Sequence, residues 1–193
     1  NKFIEIIKKK YINNELRKMK FMIIGGSGVG KSTLINALLR EYVAKEGLGG
    51  VCTTEIKKYE SNAFPFLCLY DTIGAELGKN HTLEDVQNET INLIVKQLSN
   101  ADPNQHIHCI IYCVTFNRFF EEETKIILKI RQKYDGKNLP IVIVYTMGND
   151  DDKVLAIKKK VNECLKKYKE KLSDDISDSF GINFVKVYSK EGI

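Results

Sequence analysis

The chain has 193 residues, of which 43% are hydrophobic and 28% charged, an ordinary globular composition that excludes a wholly disordered chain and fits one compact domain. Its longest apolar runs are about half a dozen residues, far below the ~20 needed to span a bilayer, and no N-terminal segment has the form of a signal peptide. The 30 Lys+Arg against 25 Asp+Glu give +5 at pH 7, a mild excess.

Much of that excess lies in Lys8–Lys10, Lys158–Lys160 and Lys166–Lys167. Such runs read first as solvated helical faces; contact with an anionic membrane is the weaker alternative, and nucleic acid is not expected without a concentrated basic face bearing aromatics. Five cysteines without paired Cys-x-x-Cys spacing suggest packed, reduced thiols and a cytoplasmic protein. His106 and His108 precede Cys109 and Cys113, but are read as strand-end residues and not as metal ligands with those thiols.

In chain order, residues 2–18 place Ile4, Ile7, Tyr11, Ile12 and Leu16 at amphipathic helical spacing. This extra N-terminal helix either covers a sheet face or links to a neighbouring domain. A strand over 20–25 follows, then a helix over 31–42 presenting Leu34, Leu38 and Tyr42. Residues 55–60 carry Lys57, Lys58 and Glu60, the charge pattern of an edge strand, before an apolar strand over 65–71. Helices are expected over 83–99, 120–134 and 152–172, and strands over 107–114, 140–145 and 182–187. The almost continuously apolar 108–114 and 141–145 fit strands buried on both faces.

This alternation predicts an α/β fold: a doubly wound, mostly parallel six-stranded sheet with helices on both faces. Residues 1–19 read as a helix or linker and 20–193 as one domain, with a closing C-terminal helix expected to be missing after the last strand.

The chemistry concentrates in Gly25-Gly26-Ser27-Gly28-Val29-Gly30-Lys31-Ser32-Thr33. The pattern G-x-x-x-x-G-K-S between a strand and a helix is a phosphate-binding loop. Glycines let the backbone curl its N–H groups around phosphate oxygens, and the positive end of the following helix adds to the field. Lys31 would neutralise the β- and γ-phosphates and the Ser32 hydroxyl would ligate Mg²⁺. About 40 residues further on, the apolar run 66–70 ends in Asp71-Thr72-Ile73-Gly74. There Asp71 would hold a Mg²⁺-bound water, and the Gly74 amide would reach the γ-phosphate.

With these two motifs the chain resembles the translation-factor-related class of P-loop GTPases. Its Gly-x-Ser-Gly-x-Gly-Lys-Ser-Thr-Leu-Ile-Asn run looks like septins, immunity-related GTPases and the plastid-import or immunity-associated GTPases. The resemblance implies a Ras-like G domain over residues 20–190, binding GTP or GDP with Mg²⁺. It also implies a metal-ligating threonine before the second strand, Thr54 in preference to Thr53. The guanine-reading Asn/Thr-Lys-x-Asp is represented by Thr146-Met147-Gly148-Asn149-Asp150. Thr146 fits, but Met147 stands for Lys and Asn149 for Asp; an amide offers one acceptor oxygen where a carboxylate takes two guanine donors. Asp150 or Asp151 is the substitute if the loop is shifted. Ser189 and Lys190 stand where the family carries Ser-Ala-Lys.

Ras-like proteins orient the attacking water with a Gln after the Asp-x-x-Gly glycine; here that position is Ala75. The task passes to backbone, to Glu76, Asn80 or His81, or to a partner. The resemblance implies pairing across the nucleotide, so a homodimer, a protein partner or additional domains are expected, with Arg118 read as a surface residue before a finger across a dimer. A switch is expected through residues 43–54 and 74–82, and slow hydrolysis of GTP. The competing readings are a nucleotide-binding scaffold with little hydrolysis and an ATP-specific P-loop protein.

Overall fold

A computed structural model describes residues 18–45, 56–72, 88, 90–94, 96, 100–115, 139–146, 151–169 and 182–186. Six strands, β1 (Met19–Ile24), β2 (Lys57–Glu60), β3 (Leu67–Asp71), β4 (Cys109–Val114), β5 (Ile141–Tyr145) and β6 (Ile182–Lys186), form one sheet in the order β2-β3-β1-β4-β5-β6. Five of them run parallel; β2 pairs antiparallel with β3 at the edge. Each expected strand is present, and the charged 55–60 run does form an edge. On β2, Glu60 receives Lys18 Nζ at 2.7 Å and Lys58 Nζ at 3.0 Å. The N-terminal helix, the 120–134 helix, Arg118 and the segment 74–82 lie outside the described residues.

Side chains alternate across the sheet and build two cores. On one face Ile23, Leu69, Cys109, Ile111 and Cys113 pack with Leu34, Ile35 and Leu39 of α1 (Lys31–Leu39). On the other, Met22, Ile24, Ile110, Tyr112, Ile141 and Ile143 pack with Ile91 and Ile94 of a helical stretch, and with Ile157 and Val161 of α2 (Asp151–Lys169). Burial on both faces explains why β4 and β5 read as continuous apolar runs. No helix among the described residues is long and apolar enough to cross a membrane.

The helix expected over 31–42 stops at Leu39, and Tyr42 is exposed instead of joining its apolar face. Arg40 takes the left-handed conformation at φ 50 and turns its N–H onto the Asn36 carbonyl, which ends the helix as a left-handed C-cap does. Its guanidinium lies 5.6 Å from the centre of the Phe64 ring.

Candidate nucleotide site

The chain leaves β1 for β3 on one side and returns to β4 on the other. The winding therefore reverses at β1, and the crevice beyond its carboxyl end is where such sheets bind ligands. The loop 25–30 occupies that position, between β1 and α1. Gly25 has φ +152, and a Cβ there would lie 2.6 Å from the Cys113 carbonyl oxygen and 2.9 Å from Val29 Cγ2. Only glycine lets the loop pass this close to β4. Gly30 caps α1 in the left-handed region at φ 85 and ψ 22, and its carbonyl accepts the Leu34 N–H at 2.9 Å. No acidic residue stands in the first turn of α1, so the helix's positive end meets no carboxylate of its own.

Lys31 folds back under the loop. Its Nζ donates to the Gly25 carbonyl at 3.0 Å and the Gly26 carbonyl at 2.9 Å, leaving the residue buried. These bonds hold the ammonium at the loop's centre. Ser32 is half-buried and Thr33 exposed, while Ser27 and Gly26 are half-buried and Gly28 open to solvent. Val29 is buried in the core cluster shared with α1.

Asp71 ends β3, opposite Ile23 of β1 and Lys57 of β2. Alternation from Leu67 and Leu69, both in the α1-side core, puts it on the face that carries α1. The next residue fixes its height: Thr72 N–H and Oγ1 donate to the Ile23 carbonyl at 3.2 and 3.0 Å. Asp71 is fully buried.

Thr146 closes the site from β5. Its N–H extends the ladder to Val114 O at 3.0 Å, and its Oγ1 meets Val29 O of the loop at 2.5 Å and Val114 O at 3.2 Å. The first residue of the base-reading motif is thus tied to the phosphate loop. The structure thereby brings together residues 25–33, Asp71 and Thr146. Thr54, Gly74, Glu76, Asn149, Ser189 and Lys190 lie outside the described residues.

The histidines and thiols of the β4 run have structural roles. His108 Nδ1 accepts the Lys20 backbone N–H at 2.9 Å, and the His108 backbone N–H donates to Lys20 O at 2.8 Å. His106 Nε2 lies 2.7 Å from the Asn100 carbonyl. Cys68, Cys109 and Cys113 are buried free thiols. Burial pushes the Cys113 thiol up to about 12, so it stays protonated beneath the loop.

A glycine loop packed against β4 where no Cβ would fit, a lysine centred in it, a hydroxyl on the first turn of α1 and a carboxylate on the sheet face that carries α1 define a P-loop nucleotide-binding domain. The donor set, Ser32 and Asp71 with the Lys31 ammonium, is made of the hard oxygens and the cation that suit Mg²⁺ and a polyphosphate. The chain belongs to the family described as 50S ribosome-binding GTPase, whose model matches residues 20–147; it is a GTP-binding GTPase domain. No curated protein matches it.

Among solved structures it is similar to Toc33 from Arabidopsis thaliana. A dimerization-deficient mutant matches at TM-score 0.68 with 16% identity over 97% of this chain and 77% of that one. The form in complex with Mg²⁺ and GMPPNP matches at 0.62, with 16% identity and the same coverage. A structure of the chloroplast translocon components atToc33 and psToc159, in which dimerization is important for GTPase activity, matches at 0.63 with 17% identity over 97% and 76%. At these identities the likeness is one of fold.

Proposed function

We propose that this chain is a Mg²⁺-dependent guanine-nucleotide switch of the Ras-like kind that hydrolyses GTP slowly and is stimulated by dimerisation or by a partner. The observation that carries the reading is the loop itself, with the Lys31 ammonium held by the Gly25 and Gly26 carbonyls at the reversal point of the sheet. The backbone of residues 25–33 would wrap the β-phosphate, and Lys31 would neutralise the β- and γ-oxygens. Ser32, Asp71 (through a water) and Thr54 would hold Mg²⁺, whose charge would offset that of the phosphate oxygens. Gly74 would donate its amide to the γ-phosphate, and Glu76 would help position water. Thr146, Asn149, Ser189 and Lys190 would meet the base.

Stimulation by pairing is supported from two sides. Ala75 has no side-chain amide to orient water, so the chain lacks the Ras-type device at that position. The similar atToc33 and psToc159 depend on dimerization for their GTPase activity. Ala75 also favours a second reading, a nucleotide-binding scaffold with little turnover.

Calorimetric titration with GDP, GTP, ADP, ATP and XDP, with and without Mg²⁺, followed by phosphate release across a wide range of protein concentration, tests the proposal. Guanine preference and turnover per chain that rises with concentration are expected. Adenine preference overturns the base assignment, tight binding without release selects the scaffold, and turnover flat with concentration and unmoved by partners removes the pairing.

A further inference from the structure

Asn36 sits on α1, just over one turn beyond Lys31 and Ser32, and gathers the chain that leaves the helix. Its backbone carbonyl accepts the N–H of Arg40, and that of Glu41 at 3.2 Å. Its side-chain Oδ1 accepts Val43 N–H at 3.0 Å and Ala44 N–H at 2.8 Å, while Nδ2 donates to the Ala44 carbonyl at 2.8 Å. Ala44 is fully buried in the core cluster that contains Leu34, Ile35 and Leu39. One amide side chain thus closes a ring on both backbone polar groups of Ala44, a residue eight positions away.

We propose that Asn36 is a positioning residue that joins residues 40–44 to the phosphate-binding helix as one body, so that the nucleotide-responsive segment is rooted after Ala44 and not at the end of α1. The GTPase resemblance sets the start of that segment at residue 43. With the tether, 11 residues, 46–56, lie between Lys45 and the first residue of β2; without it the count runs from residue 42, because Glu41 keeps its bond to the Asn36 backbone carbonyl, and is 15. Loop closure scales with the logarithm of length, so the longer run makes ordering its far end only about twofold less favourable. The larger consequence is local: Ala44 N–H loses the acceptor it has in Asn36, whereas Val43 N–H also lies 3.1 Å from the Glu41 carbonyl.

The functional half of this inference rests on the Mg²⁺-GTP reading above, because Thr54 is assigned to the run in question. Its structural half does not. Hydrogen exchange on the nucleotide-free chain is the first measurement. Ala44 should be protected in the wild type and lose roughly fivefold of that protection in Asn36→Ala, the equivalent of one lost hydrogen bond, with β1 and β4 amides unchanged. Asn36→Asp keeps both accepting contacts but sets a carboxylate oxygen against the Ala44 carbonyl in place of the Nδ2 donor, so its protection should fall between the wild type and Asn36→Ala. The second measurement is the ratio of affinities for Mg²⁺-GMPPNP and GDP. A merely structural lesion lowers both equally, whereas a loosened root should weaken the triphosphate analogue about twofold more than GDP, with Asn36→Asp between the wild type and Asn36→Ala. An Ala44 amide that exchanges freely in the wild type, or equally in wild type and Asn36→Ala, overturns the tether. A ratio that does not move, in a chain that binds both nucleotides, overturns its role in the switch. A chain that binds neither nucleotide fails the Mg²⁺-GTP reading, and the exchange result still decides the tether.

Discussion

Two lysines, one near the start of β1 and one beyond its end, are almost equally buried, and they have opposite meanings. Lys20, near the start of β1, is 8% exposed, and Lys31, beyond its end, 7%. Lys20 Nζ donates to Gln105 Oε1 at 3.0 Å, its backbone is locked to His108 on both sides, and burial pulls its ammonium below the usual lysine range. It is a side chain absorbed by the fold. Lys31 is held by carbonyls of a glycine loop at the carboxyl end of a parallel sheet, where strand ends, loop and helix terminus converge. A buried lysine is therefore not itself a sign of a site; the backbone around it is.

The largest expected effect breaks or upholds that contrast. Lys31→Met should weaken nucleotide binding at least about 100-fold, since charge-assisted bonds to phosphate are each worth roughly 1.5–3 kcal/mol. Lys20→Met should change nucleotide affinity by less than about twofold, because the four strand residues between it and the loop set the two about 16 Å apart and distant sites act independently. Fluorescent-nucleotide titration of both variants decides; equal losses would erase the distinction.

Next in size is Gly25→Ala. The new Cβ would meet the backbone oxygen of Cys113 at 2.6 Å, and a strand carbonyl cannot swing aside as a side chain can. Combined with a φ of +152, this should cost about 1–3 kcal/mol of stability and misplace the loop as well. Denaturant unfolding and nucleotide titration should both fall. Loss of affinity with no loss of stability would mean that the loop, not the sheet, yields.

Thr146→Val sharpens the role of the loop's far wall. It keeps volume near the Gly30 Cα but removes the hydroxyl that meets Val29 O and Val114 O. A net hydrogen bond of about 0.5–1.5 kcal/mol should disappear, with nucleotide affinity falling several-fold because the loop loses its tie to β5. An unchanged affinity would confine Thr146 to the β4–β5 ladder.

Much of this was legible in the sequence. Strands buried on both faces leave unmistakable apolar runs, as in Ile141–Tyr145, and the edge strand announced itself by Lys57, Lys58 and Glu60. The phosphate loop is a contiguous motif, so its residues arrive together in space. What was hidden is non-local. Thr146 meets Val29 across 117 positions, and Lys20 meets His108 across 88; neither spacing has a periodic signature. Tyr42 misled for a different reason. It continues the apolar pattern of α1, but Arg40 enters the left-handed region two residues earlier and ends the helix. The Asn36 contacts with residues 43 and 44 carry a weak local signal, an amide on a helix followed by a short turn.

The smallest effect tests the Lys20 end of the contrast through its neighbour Glu60. Hydrogen bonds from Lys18, then Lys58, hold the Glu60 carboxyl below the ordinary glutamate value. A depressed carboxyl contributes stability above its unfolded-state value, and that contribution is lost as pH falls through the folded-state value. The side chain remains 35% exposed, so water and salt screen the pair and the worth of the whole arrangement is a few tenths of a kcal/mol. Urea unfolding should place Glu60→Gln slightly below the wild type at pH 7, with the gap closing at acidic pH and in high salt. Nucleotide affinity should be untouched, since Glu60 lies at the far end of β2 from the row that pairs Lys57 with Asp71. A nucleotide effect from this end of the sheet would mean that the two ends of β1 communicate, and the independence expected of Lys20→Met would fail with it.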